Sequence, residues 1–117
     1  MIEVMIAIVL TALAMLGVFS MYASETKAAA FSRHATEASV LAEDKIEKLR
    51  TGAAIAIPST VEAGLNERGV TTPLPGIYTR TYQQVLSTAS YADITVTVGW
   101  SDDGVPHSVL IHARRNQ

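Results

Sequence analysis

The sequence predicts an α+β fold in which a long N-terminal helix packs against a small antiparallel sheet of three to four strands. Three observations lead to this prediction. Residues 4–50 contain no proline and a single glycine, which is typical of one long helix. Residues 53–75 contain prolines and glycines that interrupt regular structure. From residue 76 onward apolar and polar residues alternate, which indicates strands that need a cover on their apolar face.

Residues 1–24 form the apolar first part of the predicted helix. Glu3 is the only charged side chain before Glu25, so an uncharged stretch follows it that is long enough to cross a bilayer. A cleavable secretory signal fits this segment poorly, because no lysine or arginine precedes it and the apolar run is too long. A plain signal anchor fits the length but lacks the flanking positive charge that sets orientation.

Glu3 is the feature that neither of those interpretations explains. A carboxylate beside an apolar run costs several kcal/mol if it is buried without a partner. One alternative is that Glu3 lies among lipid headgroups and is solvated. The other is that Glu3 meets a positive group on a neighbouring chain when helices pack together, which would fix the axial offset between the chains.

Residues 25–52 form the amphipathic second part of the same helix, and Gly52 is its predicted end. Apolar residues recur here at spacings of three and four, the period of one helix face. We expect this face to cover the sheet. The predicted core between helix and sheet consists of Phe31, Ala38, Ile46, Leu49, Ile94, Val96, Val98 and Trp100.

Residues 53–117 form the predicted head, which consists of an irregular loop over 53–75 and a sheet over 76–114. Alternation predicts strands from 76 to about 85, from 94 to 100 and from 108 to 113. Asp103–Gly104 is a strong signal for a two-residue hairpin turn between the last two of these strands.

The sequence offers no positive case for catalysis or for a bound cofactor. The chain has no cysteine, and its net charge of −2 comes without a basic cluster, which argues against nucleic-acid binding. It has no phosphate-binding glycine motif. The adjacent Asp102 and Asp103 are more typical of a turn than of a cation site. We therefore predict no catalytic residue, no metal site and no enzyme activity.

The residues around Glu3 resemble the N-terminal segment of type IV pilins and type II secretion pseudopilins. The resemblance rests on the pattern Ile2–Glu3–Val4–Met5–Ile6–Ala7–Ile8 and the apolar run after it. Residues 42–50 are similar to the end of the helix in minor pilins of the PilV kind and in GspI pseudopilins. The chain lacks the helix-breaking proline of many members, for which Gly17 is the nearest substitute, and the C-terminal disulfide of many major pilins. These departures favour a minor pilin over a major one.

In the mature chains of this family the glutamate is the fifth residue, whereas here it is the third. We therefore expect two residues, with a basic leader before them, to precede Met1 in the native protein. Mass spectrometry of the native protein tests this, and a mature chain that starts at Met1 would contradict it.

The resemblance implies a filament subunit that waits in the bacterial inner membrane as a single-pass protein with its head in the periplasm. A membrane peptidase would cleave and methylate it, and assembly would then move it into a pilus at the cell surface. The implied partners are other minor pilins, the major pilin, the inner-membrane assembly platform and an adhesin at the tip. Glu3 would bind the N-terminal amine of a neighbouring subunit. The residues expected to pack in the filament core are Ile2, Val4, Ile6, Ile8, Val9, Leu13, Leu16 and Gly17.

The predicted function is that of a minor pilin, which primes assembly or lies at the pilus tip in motility and adhesion. Two alternatives stay open. A minor pseudopilin of a type II secretion system has the same architecture, and genomic neighbours would separate it from a pilin. A single-pass membrane protein whose periplasmic head binds a ligand belongs to a different class, and replacement of Glu3 would distinguish it from a filament subunit.

Overall fold

The computed structural model describes residues 1–71, 76–87 and 90–116. It has the α+β fold that the sequence predicts, with one long N-terminal helix and one antiparallel sheet of four strands in the order β1-β2-β3-β4. The elements are α1 (Ile2–Thr51), β1 (Ile57–Leu65), β2 (Tyr78–Leu86), β3 (Tyr91–Asp102) and β4 (Val105–Asn116).

The chain divides into two compact units, Met1–Arg33 and His34–Gln117. The residues of the first unit are exposed throughout, and from Ile2 onward they are helical. The second unit contains the C-terminal part of α1 and the whole sheet, and it holds the hydrophobic core. We call this second unit the head.

The core of the head lies between one face of α1 and one face of the sheet. From the helix it takes Ala38, Leu41, Ala42 and Ile46, at the spacing of a single helix face. The two alanines allow the helix backbone to lie close to the sheet. The sheet contributes alternate residues of its strands, as expected for one buried face. The buried apolar residues of the strands are Leu65, Tyr78, Ala92, Ile94, Val96, Val98 and Trp100.

The structure places most of the predicted core residues in this core. Ala38, Ile46 and the four residues of β3 are buried, and Leu49 is partly buried against them. Phe31 is an exception and corrects the sequence prediction. It belongs to the first unit and is 45% exposed. Helical periodicity gives the face of a residue but not the point along the axis at which the sheet begins.

The predicted loop over 53–75 is wrong in part, because β1 occupies residues 57–65. Its pairing with β2 shifts register twice, between Ile57 and Thr60 and between Glu62 and Leu65. These irregularities, with Pro58 in an edge position, conceal the period-two pattern in the sequence. The two prolines of this loop at positions 73 and 75 lie outside the described residues.

The β3–β4 hairpin is the most regular part of the head. Its turn consists of Asp103 and Gly104, with φ angles of 50° and 78°. Two successive positive φ values define a type I′ turn, as the Asp–Gly pair predicts. The two strands pair without a register shift from the turn to Tyr91 and Asn116, so both are longer than their apolar alternation indicates.

The end of α1 is held by a side chain from β4. The guanidinium of Arg115 donates hydrogen bonds of 2.8 Å to the carbonyl oxygens of Leu49 and Gly52. The backbone N–H of Gly52 donates to the carbonyl oxygen of Lys48 at 3.1 Å. These bonds satisfy carbonyl groups that have no partner within a helix, and the positive charge suits the negative end of the helix dipole.

Candidate functional site

The candidate site is the apolar surface of α1 between Ile2 and Tyr22. Every large apolar side chain of this segment is more than half exposed, so the unit leaves the whole circumference of the helix uncovered. A stretch of 18 residues with mean hydropathy 2.5 is long and apolar enough to cross a membrane. The helix is therefore compatible with a membrane anchor. The predicted packing residues all lie on this exposed surface: Ile2, Val4, Ile6, Ile8, Val9, Leu13, Leu16 and Gly17.

Burial of this surface has a large driving force. Each valine, leucine or isoleucine side chain gains about 1.5–3 kcal/mol on full removal from water. Seven such side chains are among the predicted packing residues, so together they contribute on the order of 10 kcal/mol. That exceeds the several kcal/mol that one buried, unpaired carboxylate costs. The segment can therefore be buried with Glu3 in it, and a positive partner for Glu3 would add stability.

Glu3 lies in the first turn of α1, on the same exposed segment as the packing residues. The positive end of the helix dipole favours a carboxylate there, typically by 0.3–1 kcal/mol. That gain is smaller than the cost of burial in a medium without water. The Thr11 hydroxyl, by contrast, already has a partner within the helix, because it donates a hydrogen bond of 2.8 Å to the carbonyl oxygen of Ala7. Glu3 is thus the one side chain between Ile2 and Tyr22 that carries a charge.

The first of two polar clusters in the head surrounds Arg80, and the sequence analysis did not include it. Arg80 is 4% exposed on the helix side of β2, and its guanidinium contacts Glu62 Oε2 at 2.6 and 2.7 Å. Lys45 Nζ of α1 lies 3.0 Å from Glu62 Oε1 and 3.7 Å from the ring centroid of Tyr82. Burial raises the pKa of the Glu62 carboxyl, but the hydrogen bonds from Lys45 and Arg80 outweigh it and leave the pKa below its usual range. This cluster joins α1 to two strands.

The second cluster lies at the turn end of the hairpin. Asp102 accepts a 2.9 Å hydrogen bond from the indole N–H of Trp100, and its other oxygen lies 2.7 Å from Nδ1 of His34. The indole bond, followed by the contact with His34, lowers the pKa of the Asp102 carboxyl. The Tyr78 hydroxyl donates to the carboxylate of Glu37 on the helix. These contacts tie the start of the helical part of the head to β2 and β3.

Comparison with protein-family models, with curated proteins and with solved structures finds no match to this chain. The case for a function therefore rests on the residues and their geometry.

Among the residues that the structure describes, no three histidine or carboxylate side chains lie in an arrangement that could hold a metal ion. Both clusters consist of hydrogen bonds and ion pairs that connect α1 to the sheet. The sequence contained one signal for the first of them, because Arg80 occupies an alternate position between Tyr78 and Tyr82. The second joins residues 68 positions apart, and no local pattern links them.

Proposed function

We propose that the chain is a filament subunit, a minor pilin of a type IV pilus. The observation that carries this proposal is the combination within one helix of an exposed apolar segment, a single carboxylate at its start and a folded head on its C-terminal part. A plain anchor needs the apolar segment but gains nothing from Glu3. A helix that leaves lipid for a bundle of similar helices uses both.

The subunit waits in the bacterial inner membrane with its head in the periplasm, and lipid covers the surface between Ile2 and Tyr22. On assembly, helices of neighbouring subunits replace the lipid. Glu3 then loses its contact with water and headgroups, so a chain is more stable where a positive group lies opposite than where none does. The N-terminal amine of a neighbouring subunit is such a group. This preference selects one axial offset between subunits, which is what an ordered filament needs.

In this role the chain joins the assembly at its start or at the pilus tip, together with other minor pilins and the major pilin. The head then lies at the surface of the assembly, where it supports adhesion and motility. The inner-membrane assembly platform is its partner before the filament forms.

Substitution of Glu3 by alanine tests the proposal directly. We expect Glu3→Ala to insert into the membrane as the parent does, because the change makes the apolar segment more apolar. We expect co-purification of partner pilins to fall by about tenfold or more, because loss of one member of a buried charge pair typically costs 3–5 kcal/mol. The measurement is quantitative mass spectrometry of the membrane-extracted complex, together with a count of pili.

Glu25→Gln is the matched control. Glu25 is an exposed helical carboxylate just beyond the apolar segment, so its loss removes the same charge without touching the packing surface. We expect this variant to retain its partners. Unchanged partner recovery and unchanged piliation in Glu3→Ala would overturn the proposal and favour a membrane-anchored binding domain.

A further inference from the structure

The sheet of the head has a second face, opposite α1, which we call the outer face. Residues of a strand alternate between the two faces, so those that lie between the buried residues of β2 and β3 point outward. In the middle of the sheet these outward residues have hydroxyl or amide groups and carry no charge. They are Thr79, Thr81, Gln83, Thr95 and Thr97.

An open groove of about 540 Å³ crosses the outer face where β3 lies beside β4. Volumes of about 300–1,000 Å³ are typical of sites for small molecules. Ile94 and Ala113 point to the core, so they form the floor of the groove with their backbone. The side chains on either side of this floor are polar: Asp93, Thr95, His112 and Arg114. A ligand in the groove therefore meets hydrogen-bonding groups on both sides.

The register of the β3–β4 hairpin builds these two sides. Asp93 is paired with Arg114, and two residues further along β3, Thr95 is paired with His112. Side chains of directly opposite residues lie close together in an antiparallel ladder. Arg114 Nε donates a hydrogen bond of 2.9 Å to Asp93 Oδ1, and Thr95 Oγ1 lies 3.2 Å from His112 Nδ1. The two pairs are about 7 Å apart along the strands, within reach of opposite sides of one sugar ring.

Arg114 is held in place without using all its donors. Its Nε is bonded to Asp93, and its Cζ lies 4.1 Å from the ring centroid of Tyr91. Within the described residues, these contacts leave the terminal N–H groups of Arg114 and the second carboxylate oxygen of Asp93 for a ligand. A guanidinium that is fixed in this way presents its donors as a planar fork.

The balance of charge indicates the class of ligand. With His112 neutral, the charges of Asp93 and Arg114 cancel, so the groove does not select an ion of either sign. An apolar ligand would leave these polar groups without bonds. A hydroxyl group both donates and accepts hydrogen bonds, so a ligand with several hydroxyls fits donors and acceptors together. We propose that this groove binds a neutral saccharide, with Asp93 and Arg114 on one side of a sugar ring and Thr95 and His112 on the other.

The surroundings of the groove fit a saccharide of more than one ring. Gln83 is paired with Thr95, so Gln83, Thr95 and His112 form one polar row across three strands. Val85, which is paired with Asp93 and is 51% exposed, offers an apolar contact for the C–H groups of a sugar. This site goes beyond the proposed filament function and does not depend on it.

Binding of the full chain to a printed array of neutral and acidic glycans tests the proposal. Fluorescent phosphatidylcholine vesicles present many copies of the chain, so that avidity makes a weak site detectable, and vesicles without protein give the background. We expect neutral glycans to be bound, with little change between about 0.1 and 1 M salt, because no net charge is involved. Binding to acidic glycans alone, or to no glycan, would overturn the proposal.

Thr95→Val tests the position of the site. Valine keeps the branched shape and the strand preference of threonine but lacks the hydroxyl. Thr79→Val is the matched control, because Thr79 lies on the same face but outside the groove. We expect Thr95→Val to weaken binding to the selected glycan about fivefold, the loss typical of one hydrogen bond, and Thr79→Val to leave it unchanged. Equal binding by the two variants would contradict a site in this groove.

Arg114→Gln removes the charged donors, and Arg68→Gln is its control at an exposed turn outside the sheet. Hydrogen bonds to charged groups are the stronger ones, so we expect Arg114→Gln to bind at least about tenfold more weakly and Arg68→Gln to bind as the parent does. Since the Arg114 pair is exposed, the thermal midpoint should change little. Similar binding by both variants would overturn the proposal. These measurements use the purified chain alone, so their outcome is independent of whether the chain joins a filament.

Discussion

At the scale of single residues, Arg80 has a charge at a position that alternation alone would assign to an aliphatic side chain. It shares the helix-facing side of β2 with Tyr78 and Tyr82, and it is almost fully buried. The structure compensates for its charge with the carboxylate of Glu62 and with the carbonyl oxygen of Leu41, at 3.2 Å from the guanidinium. Burial of this arginine is tolerable only because both partners are present.

Removal of the Glu62 carboxylate is therefore expected to destabilise the head strongly. Glu62→Ala leaves the buried guanidinium of Arg80 without its closest partner, which typically costs about 3–5 kcal/mol. The measurement is chemical unfolding of the chain in detergent, followed by the fluorescence of the single tryptophan, Trp100.

Asp44→Ala is the control for that prediction. Asp44 pairs with Lys48 in an exposed i,i+4 contact, and its carboxylate lies 3.9 Å from the Arg80 guanidinium. Exposed pairs contribute about 1 kcal/mol or less, so we expect a small effect. Similar losses in the two variants would show that Arg80 does not depend specifically on Glu62.

At the scale of elements, the sequence predicts a helix or strand most reliably where its residues follow a single hydrophobic pattern throughout. Residues 94–100 alternate strictly and form the buried central part of β3, and residues 2–51 lack proline and form one helix. β1 was missed because its pairing is irregular, and only tertiary contacts with β2 hold it in the sheet. The sequence did not predict the two polar clusters of the head for a related reason. Each cluster joins residues that lie far apart in the chain, and no short-range pattern links them.

Gly76, just before β2, lies very close to the backbone at the end of β1. Gly76 donates its N–H to the carbonyl oxygen of Gly64 at 3.0 Å, and a Cβ on Gly76 would lie 1.9 Å from the carbonyl oxygen of Leu65. The contact is with backbone, so no side chain can move away to relieve it.

We accordingly expect Gly76→Ala to lower the thermal unfolding midpoint of the head by many degrees or to prevent folding. Gly17→Ala is the matched control, because nothing lies within 4 Å of a Cβ at that position. In the control, helix propensity alone favours alanine, by about 1 kcal/mol. Circular dichroism of both variants in detergent compares them, and a folded Gly76→Ala with an unchanged midpoint would contradict the steric argument.

At the scale of the whole molecule, the sequence identified the candidate site more completely than it identified the head. An exposed helical surface is a local property, so the apolar residues around Glu3 could be found from composition and position alone. What covers that surface is not a property of one chain, whose sequence shows only that the surface is apolar and carries one carboxylate. The edge position of β4 is intermediate, because it follows from strand order and register, which require the tertiary fold.

Glu62 and Asp102 have a lowered carboxyl pKa, which makes the stability of the head depend on acid. The hydrogen bond from Trp100, and then the contact with His34, lowers the pKa of Asp102 below its ordinary 3.8. Although burial opposes it, bonding to Lys45 and Arg80 lowers the pKa of Glu62 below 4.5. A group whose pKa is lower in the folded state than in the unfolded state contributes stability that is fully present above the unfolded value. That stability is lost as pH falls through the folded value.

We therefore expect the unfolding midpoint of the head to change little between pH 7 and about pH 5, and to fall steeply at lower pH. Trp100 reports on this transition directly, because its indole N–H is bonded to Asp102. The double variant Asp102→Asn and Glu62→Gln cannot lose these charges with acid, so its midpoint should start lower at pH 7 and change less on acidification. A double variant whose midpoint falls as steeply as that of the parent would show that other carboxyl groups control the acid response, and that the ties between α1 and the sheet do not.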